Sequence, residues 1–343
     1  MHAGQLAVSS RSQLDGHTLV TTWSAHPGWL VAGAVILLGY AWAVRRAARH
    51  DRPLPVWRVV SFVLGIVVLE ITIASAIDAY AMDLFWMHMV EHLMLIMVIP
   101  VFLVLGHPLT AIRDALRSPA RERFATGLKS RPVGFLTSPL VGLLVYSVVI
   151  IVTHLTDFMD QMAMHGWVMA FEQVIYVVAG CWLLMPLLAY EPLRLNAPYL
   201  LRIAVLFLAM VPDAVVGIVL LQTDDNLFPM MTSMRPSWAL DPVRDINTAG
   251  ALMWAAGDGL MMFIAVGVVI AMISDPDQSR QDFGTWLEGA RRRTMVQHVN
   301  FATGDDATVN ADAETDFDPD GDEALAAYNR MLGRLGGADR TPG

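Results

Sequence analysis

Seven apolar stretches, each close to the length of a membrane-spanning helix, most restrict what this chain can fold into. They cover residues 30–44, 62–76, 93–105, 140–152, 174–189, 203–221 and 251–273. A spanning helix needs about 20 predominantly apolar residues, and 55% of this chain is hydrophobic while only 16% is charged. The alternating apolar pattern of a membrane β-barrel is missing from these stretches. We therefore predict an all-α polytopic membrane helical bundle with seven transmembrane helices.

The distribution of basic residues predicts how this bundle is oriented. Five arginines lie between the first two stretches, and six basic residues lie between the third and the fourth, whereas residues 78–87 and 155–167 contain no Lys or Arg. Because basic loops stay on the cytoplasmic side, the N-terminus is predicted outside and the C-terminus in the cytoplasm. We divide the chain into an extracytoplasmic N-terminal segment (1–26), a seven-helix transmembrane domain (27–274) and a cytoplasmic, largely flexible acidic tail (275–343).

Charge and cysteine content exclude some other classes of protein. The net charge of −9 comes largely from the tail, and no basic patch suited to nucleic acid is present. Cys181 is the only cysteine, so the chain can form neither an internal disulfide nor a Cys-x-x-Cys redox pair.

The motif HMVEH at residues 88–92 is the most informative polar feature. Residues three and four apart share a helix face, so His88, Glu91 and His92 point the same way at the start of the third apolar stretch. Polar groups at that depth are costly unless they are paired or bind something, which makes the trio a functional-site hypothesis. The simpler interpretation is a pair of interfacial histidines hydrogen-bonded to neighbouring helices.

Further ionisable and soft side chains are predicted near the same outer side of the membrane. His154 closes the fourth stretch, and the fifth begins with a stripe of Met162, His165, Met169 and Glu172 at helical spacing. Imidazole with thioether and no thiolate suits copper, and methionine favours Cu(I). A proton or quinone path built on the same acids is the main competitor. An intramembrane metalloprotease is a further alternative, because His-x-x-Glu-His is also the inverzincin spacing.

The same region resembles a known family. Residues 86–109 read WMHMVEHLMLIMVIPVFLVLGHPL, which is similar to the H-M-x-x-H-L-L and P-x-L-x-L-G-x-P-L pattern of the CtaG family of cytochrome c oxidase (caa-type) assembly factors. Supporting matches are WSAHP at 23–27, THL at 153–155, Gly180, Pro186, Asp245, GALMW at 250–254 and Tyr328-Asn329. The resemblance covers about residues 23–273.

The resemblance implies a multi-pass protein of the bacterial plasma membrane that is needed to form active haem–copper oxidase, with copper delivery as the proposed role. It also implies haem–copper oxidase subunits as partners, besides the lipid bilayer. Members often carry another histidine pair near the start of the fifth span, where this chain has Met169 and Gln173 around Glu172.

We accordingly predict a copper-binding assembly factor, which acts as a metallochaperone of the respiratory chain and is not an enzyme. The predicted ligands are His88 and His92, completed by His154 and by His165 or Met169, with Glu91 and Glu172 as acceptors that orient the imidazoles. The ion is expected to be Cu(I), received from a copper donor protein. The alternatives are a copper transport or tolerance protein and a metal-free scaffold for oxidase assembly.

Overall fold

The computed structural model describes residues 12–24, 26–188, 191–194, 197–233, 235–275 and 284. Within these residues the chain is helical and contains no β-strand, as predicted. The helices are α1 (Gly16–Thr21), α2 (Pro27–Ala48), α3 (Val56–Ala74), α4 (Ala76–Ala81), α5 (Phe85–Leu93), α6 (Ile99–Leu105), α7 (Pro108–Ala115), α8 (Ala120–Leu128), α9 (Arg131–Leu136), α10 (Pro139–Leu155), α11 (Phe158–Met164), α12 (Gly166–Leu188), α13 (Tyr199–Gln222), α14 (Pro229–Ser233), α15 (Pro242–Leu252) and α16 (Asp258–Ser274). Two π-helical turns, Met94–Val98 and Met253–Gly257, join α5 to α6 and α15 to α16.

Six helical segments among the described residues are long and apolar enough to cross a membrane. They are Pro27–Ala48, Val56–Ala74, Phe85–Ala115, Gly166–Leu188, Tyr199–Gln222 and Pro242–Ser274. A seventh span results if α10 and α11, which are bent by 69° at their junction, count as one. Large apolar side chains such as Leu38, Phe263 and Ile273 are exposed on the outside of these helices. An apolar exterior is what a lipid-facing bundle requires.

The contacts divide the chain into two units. The first, Met1–Ile270, contains the residues discussed below, and the second is Ala271–Gly343. The predicted tail (275–343) lies outside the described residues, apart from Asp275 and Gly284. Residues 1–11 of the predicted N-terminal segment are also outside them.

Helix ends fall where the sequence supplies stop and start signals. Proline lies in the first turn of α2, α7, α9, α10 and α15, where its missing N–H costs nothing. His107 has a left-handed backbone (φ 50°) and separates α6 from α7. The carboxylate of Glu191 accepts the Leu109 and Thr110 backbone N–H groups at the start of α7, and burial raises the pKa of Glu191.

The first π turn follows directly from the sequence of the third span. Pro100 has no N–H to donate to the Ile96 carbonyl, so the regular helical ladder is interrupted there. Gly180 of α12 packs against this carbonyl, because a Cβ at Gly180 would overlap the Ile96 oxygen. The backbone of α12 therefore approaches the third span closely, one turn beyond His92. That approach sets the distance between the side chains of α5 and α12.

Hydrogen bonds connect the start of α2 with the end of α3, and the start of α5 with the start of α15. This end of the bundle is here called the histidine end, because His88 lies on the first turn of α5. Ser24 N donates to Ala74 O (2.8 Å), which joins the start of α2 to the end of α3. Phe85 N and Trp86 N, at the start of α5, both donate to the carboxylate of Asp245 (2.8 and 3.1 Å). The last span was predicted to begin at residue 251, but in the structure it begins at Pro242. Asp241 caps α15 at this point, and α15 contacts α5.

Candidate metal centre

The third span brings its polar trio to the histidine end as a buried group. Leu84, the residue that precedes α5, makes no capping hydrogen bond with its side chain, and Asp245 supplies the missing acceptor from far along the chain. This cap fixes the first turn of α5, on which His88 lies. His88, Glu91 and His92 are only 1%, 1% and 4% exposed.

Glu172 of α12 joins the two histidines. Its Oε2 lies 3.5 Å from His88 Nε2, and its Oε1 lies 3.4 Å from His92 Nε2. One donor atom from each of the three residues falls within 4.8 Å of the other two, and all three residues are buried. The sequence predicted Glu172 to orient an imidazole, whereas its carboxylate lies among the potential ligand atoms.

Several polar atoms of this cluster make no hydrogen bond to any described residue. They are His88 Nδ1, His88 Nε2, Glu91 Oε2, His92 Nε2 and Glu172 Oε1, five of the ten such buried side-chain atoms in the described part of the chain. Buried polar groups without partners cost about 1–3 kcal/mol each. Three of these atoms, His88 Nε2, His92 Nε2 and Glu172 Oε1, belong to the group of His88, His92 and Glu172, which is the pattern expected where a ligand supplies the partner.

His154, at the end of α10, lies behind His92. Its Nδ1 is 2.9 Å from the carbonyl oxygen of Ile150, which can only accept, so Nδ1 carries the proton. His154 Nε2 is then an acceptor for His92 Nδ1, at 3.3 Å. Because His92 Nδ1 donates its hydrogen bond to His154, the neutral His92 ring has its lone pair on Nε2. This nitrogen faces Glu172. His154 therefore orients His92, a role that the sequence had assigned to carboxylates.

An aromatic and hydroxyl pair fixes these rings further. The Tyr176 ring of α12 lies 4.1 Å from the His92 ring, with an interplanar angle of 32°. Tyr176 OH and Thr153 Oγ1 are 2.7 Å apart, and Thr153 Oγ1 also contacts His154 Nδ1 (3.0 Å). Neither Tyr176 nor Thr153 was singled out as a site residue from the sequence.

Glu91 belongs to a second polar group beside the histidines. Gln173 Nε2 donates to Glu91 Oε1 (2.7 Å) and also to Asp78 Oδ1 (3.1 Å), so one amide joins two carboxylates. Glu91 Oε2 is 4.0 Å from His88 Nδ1, too far for a hydrogen bond. Glu91 is thus a neighbour of His88 rather than its hydrogen-bond acceptor in this structure.

The predicted stripe on the fifth span is interrupted, which changes the positions of His165 and Met169. Helix α11 ends at Met164 and α12 begins at Gly166, with His165 in an extended conformation between them. His165 is exposed, and its Nδ1 is paired with the Gln161 carbonyl (3.2 Å). Met169 is half-buried on α12. The structure therefore does not bring His165 to the cluster of His88, His92 and Glu172.

A small cavity adjoins His92. Its volume is about 10 Å³. This is the room of one water-sized particle. His92 and His154 both line the cavity, and Met89, Asp213 and Met253 are among the other lining residues. Asp213 accepts a hydrogen bond from Tyr146 OH (2.5 Å). Two methionines, Met89 and Met253, therefore share a cavity lining with His92 and His154.

The two distances from Glu172 to the imidazoles are of the size found between donors of one metal ion. Metal–nitrogen bonds are about 2.0–2.1 Å long, so two donors on one ion lie roughly 3.3–3.6 Å apart at ordinary angles. The distances from Glu172 to the two imidazoles, 3.4 and 3.5 Å, fall in this range. The set of two imidazoles and one carboxylate is harder than the imidazole and thioether set predicted from the sequence.

Comparison with known proteins gives a consistent family. An uncharacterized protein of Mycobacterium bovis and one of Mycobacterium tuberculosis are each 27% identical over 325 residues, 92% of this chain and 45% of the relative. An uncharacterized protein of Mycobacterium leprae is 28% identical over 313 residues, 89% of this chain and 43% of the relative. The chain thus spans less than half the length of these curated relatives. No solved structure matches the chain.

The family model of the cytochrome c oxidase caa3 assembly factors (Caa3_CtaG) matches residues 38–275, which include all seven of the predicted site residues. Together with the apolar spans and the mycobacterial relatives, this match identifies the chain as a multi-pass protein of the bacterial plasma membrane that belongs to the cytochrome c oxidase caa3 assembly factor family.

Proposed function

We propose that this assembly factor binds one copper ion between His88, His92 and Glu172 and delivers it to a haem–copper oxidase. The observation that carries the proposal is the convergence of buried polar atoms without partners at the cluster. A bound cation would give these atoms the partners that the described protein residues do not supply.

Charge supports a cation as the ligand. Glu91 and Glu172 are both 1% exposed, and among the described residues no Lys or Arg forms an ion pair with either. An uncompensated buried carboxylate is costly in a low-dielectric interior. A metal ion beside Glu172 would offset this cost, whereas a neutral ligand would not.

The two imidazoles are donors that suit copper. Thioether favours Cu(I). His92 contacts the carboxylate of Glu172 and also lines the cavity to which Met89 and Met253 belong. We propose that copper is held as Cu(I), and that Met89 and Met253 replace Glu172 as donors during release.

Delivery would take place at the outer side of the membrane. The basic loops predict that the histidine end faces outside, and the cluster residues lie within about two turns of a helix terminus. Transfer would then be lateral, from this chain to oxidase subunits in the same bilayer. A copper donor protein would load the cluster from outside. No bond in a substrate needs to be made or broken, so the proposed role is binding and transfer.

The orientation can be measured by labelling single cysteines in intact cells. In a Cys181→Ala background, Asp157→Cys at the histidine end should react with a membrane-impermeant maleimide, and Arg49→Cys at the opposite end should react only after permeabilisation. The reverse pattern would contradict delivery at the outer side.

The function itself is tested by the copper content of the oxidase. Cells that lack the native copy should regain copper-loaded, active oxidase with the wild-type chain and not with His88→Ala combined with His92→Ala, at equal membrane levels. Full oxidase activity with the double variant would favour the metal-free scaffold. Copper uptake into vesicles that contain the protein would favour the transport protein.

A metalloprotease is the second candidate, because Glu172 provides the third ligand that the His-x-x-Glu-His motif needs. In that case Glu91 would act as the general base. Glu91→Gln should then abolish function while metal binding persists. The copper carrier predicts that copper binding and oxidase assembly change together in this variant.

A further inference from the structure

A surface histidine leads into the buried cluster through hydrogen-bonded side chains. His26 lies immediately before α2, and its side chain is 44% exposed. Its Nε2 lies 2.9 Å from Asp78 Oδ2. The same Asp78 oxygen accepts a hydrogen bond from Ser24 Oγ (3.2 Å). The His26 side chain does not cap α2, so its position is explained by Asp78 rather than by the helix start.

Asp78 connects this surface pair to the interior. It is only 8% exposed, and its second oxygen, Oδ1, is bonded by Gln173 Nε2, which also bonds Glu91 Oε1. Glu91 in turn presents Oε2, which makes no hydrogen bond to a described residue, 4.0 Å from His88 Nδ1. A series of side-chain nitrogen and oxygen atoms therefore connects the exposed His26 with His88 of the cluster.

The charges along this path attract cations. Asp78 is 8% exposed and Glu91 and Glu172 are each 1% exposed, and among the described residues no Lys or Arg forms an ion pair with any of them. Carboxylates between low-dielectric walls focus the field and raise the local concentration of cations. His26 is the imidazole at the exposed end of this series.

We propose that His26 and Asp78 form a surface capture site for the copper ion, from which the ion passes Gln173 to reach His88 and His92. This inference rests on the proposed function. The capture site offers one imidazole and one carboxylate, fewer donors than the cluster. An ion that must move on needs a first site that binds it weakly.

The test measures the rate of copper uptake separately from the amount bound. Purified full-length protein in nanodiscs takes Cu(I) from its complex with bicinchoninate, and a stopped-flow instrument follows the loss of the complex's absorbance. The variants are His26→Gln, which keeps a hydrogen bond to Asp78, and Asp78→Asn, which keeps the size of the side chain. The control is His17→Ala, which removes an exposed histidine of α1.

We expect His26→Gln and Asp78→Asn to slow uptake by about tenfold or more, with the wild-type amount of copper bound at equilibrium and the control unchanged. His26→Met should restore fast uptake, because a thioether also binds Cu(I). If His26 had a purely structural role, His26→Gln, which keeps the hydrogen bond to Asp78, should take up Cu(I) faster than His26→Met.

Two results would overturn the inference. Uptake by His26→Gln and Asp78→Asn at the wild-type rate would exclude a capture site while leaving the copper cluster in place. A wild-type chain that takes up no Cu(I) would contradict the proposed function itself, and the capture site with it.

Discussion

His92 Nδ1 lies 3.3 Å from His154 Nε2, and His154 Nδ1 is held by the Ile150 carbonyl. The main chain of α10 thereby determines the tautomer of a histidine on α5. His92 Nε2 is left as the nitrogen available to a metal. The fourth span thus acts on the proposed copper site through the hydrogen bond from His92 to His154.

Replacing His154 should weaken copper binding without abolishing it. His154→Ala removes the acceptor for His92 Nδ1, and loss of such orienting groups typically costs about 10–100-fold in metal affinity. Competition with a Cu(I) chelator would measure this affinity. His154→Gln, which retains an acceptor, should lose less. Complete loss of copper from His154→Ala would show that His154 is itself a ligand.

Glu172→Gln should reduce affinity for Cu(II) more than for Cu(I), because the harder ion depends more on the carboxylate. Binding of each ion can be measured by competition titration under aerobic and anaerobic conditions. Glu70→Gln is the matched control, since Glu70 is another glutamate with a buried unpartnered oxygen in a span. Equal losses in the two variants would argue against Glu172 as a ligand.

Asp245→Ala should destabilise the protein by about 1–3 kcal/mol, because the first N–H groups of α5 lose their acceptor. Thermal unfolding of the protein in detergent, followed by circular dichroism, measures the change. Asp245→Asn keeps one acceptor oxygen and should fall between wild type and Asp245→Ala. An unchanged melting temperature for Asp245→Ala would mean that water replaces the cap.

Gly180→Ala should also destabilise the protein, by about 1–3 kcal/mol, because the added methyl group overlaps the Ile96 carbonyl. Gly259→Ala is the control, since nothing lies within 4 Å of a Cβ at that position. Comparison of the two melting temperatures tests the close approach of α12 to the third span. A Gly180→Ala protein as stable as the control would show that this approach is not tight.

The sequence predicted the helical spans and the shared helix face of His88, Glu91 and His92, because both depend on local periodicity. His88, Glu91 and His92 share a face through spacing alone, and this holds in the structure. His165 was placed wrongly because the spacing assumed a continuous helix, and the chain breaks at that residue. The number of spans is six or seven because α10 is short and sharply bent from α11.

The remaining parts of the site depend on contacts between distant segments. Asp245 reaches the start of α5 from the last span, and Gln173 joins Asp78 to Glu91 across three helices. No periodicity within one segment signals such partners. Their polar character next to the apolar stretches was the available clue, and it did not reveal which residues meet.

The most direct test is the copper content of the purified chain. After loading with Cu(I) under reducing conditions and desalting, the wild-type protein should retain about one copper ion per chain and give no electron paramagnetic resonance signal. His88→Ala with His92→Ala should retain close to none, while His17→Ala should match wild type. Equal copper in the wild type and the double variant, or none in either, would contradict a copper site at His88, His92 and Glu172.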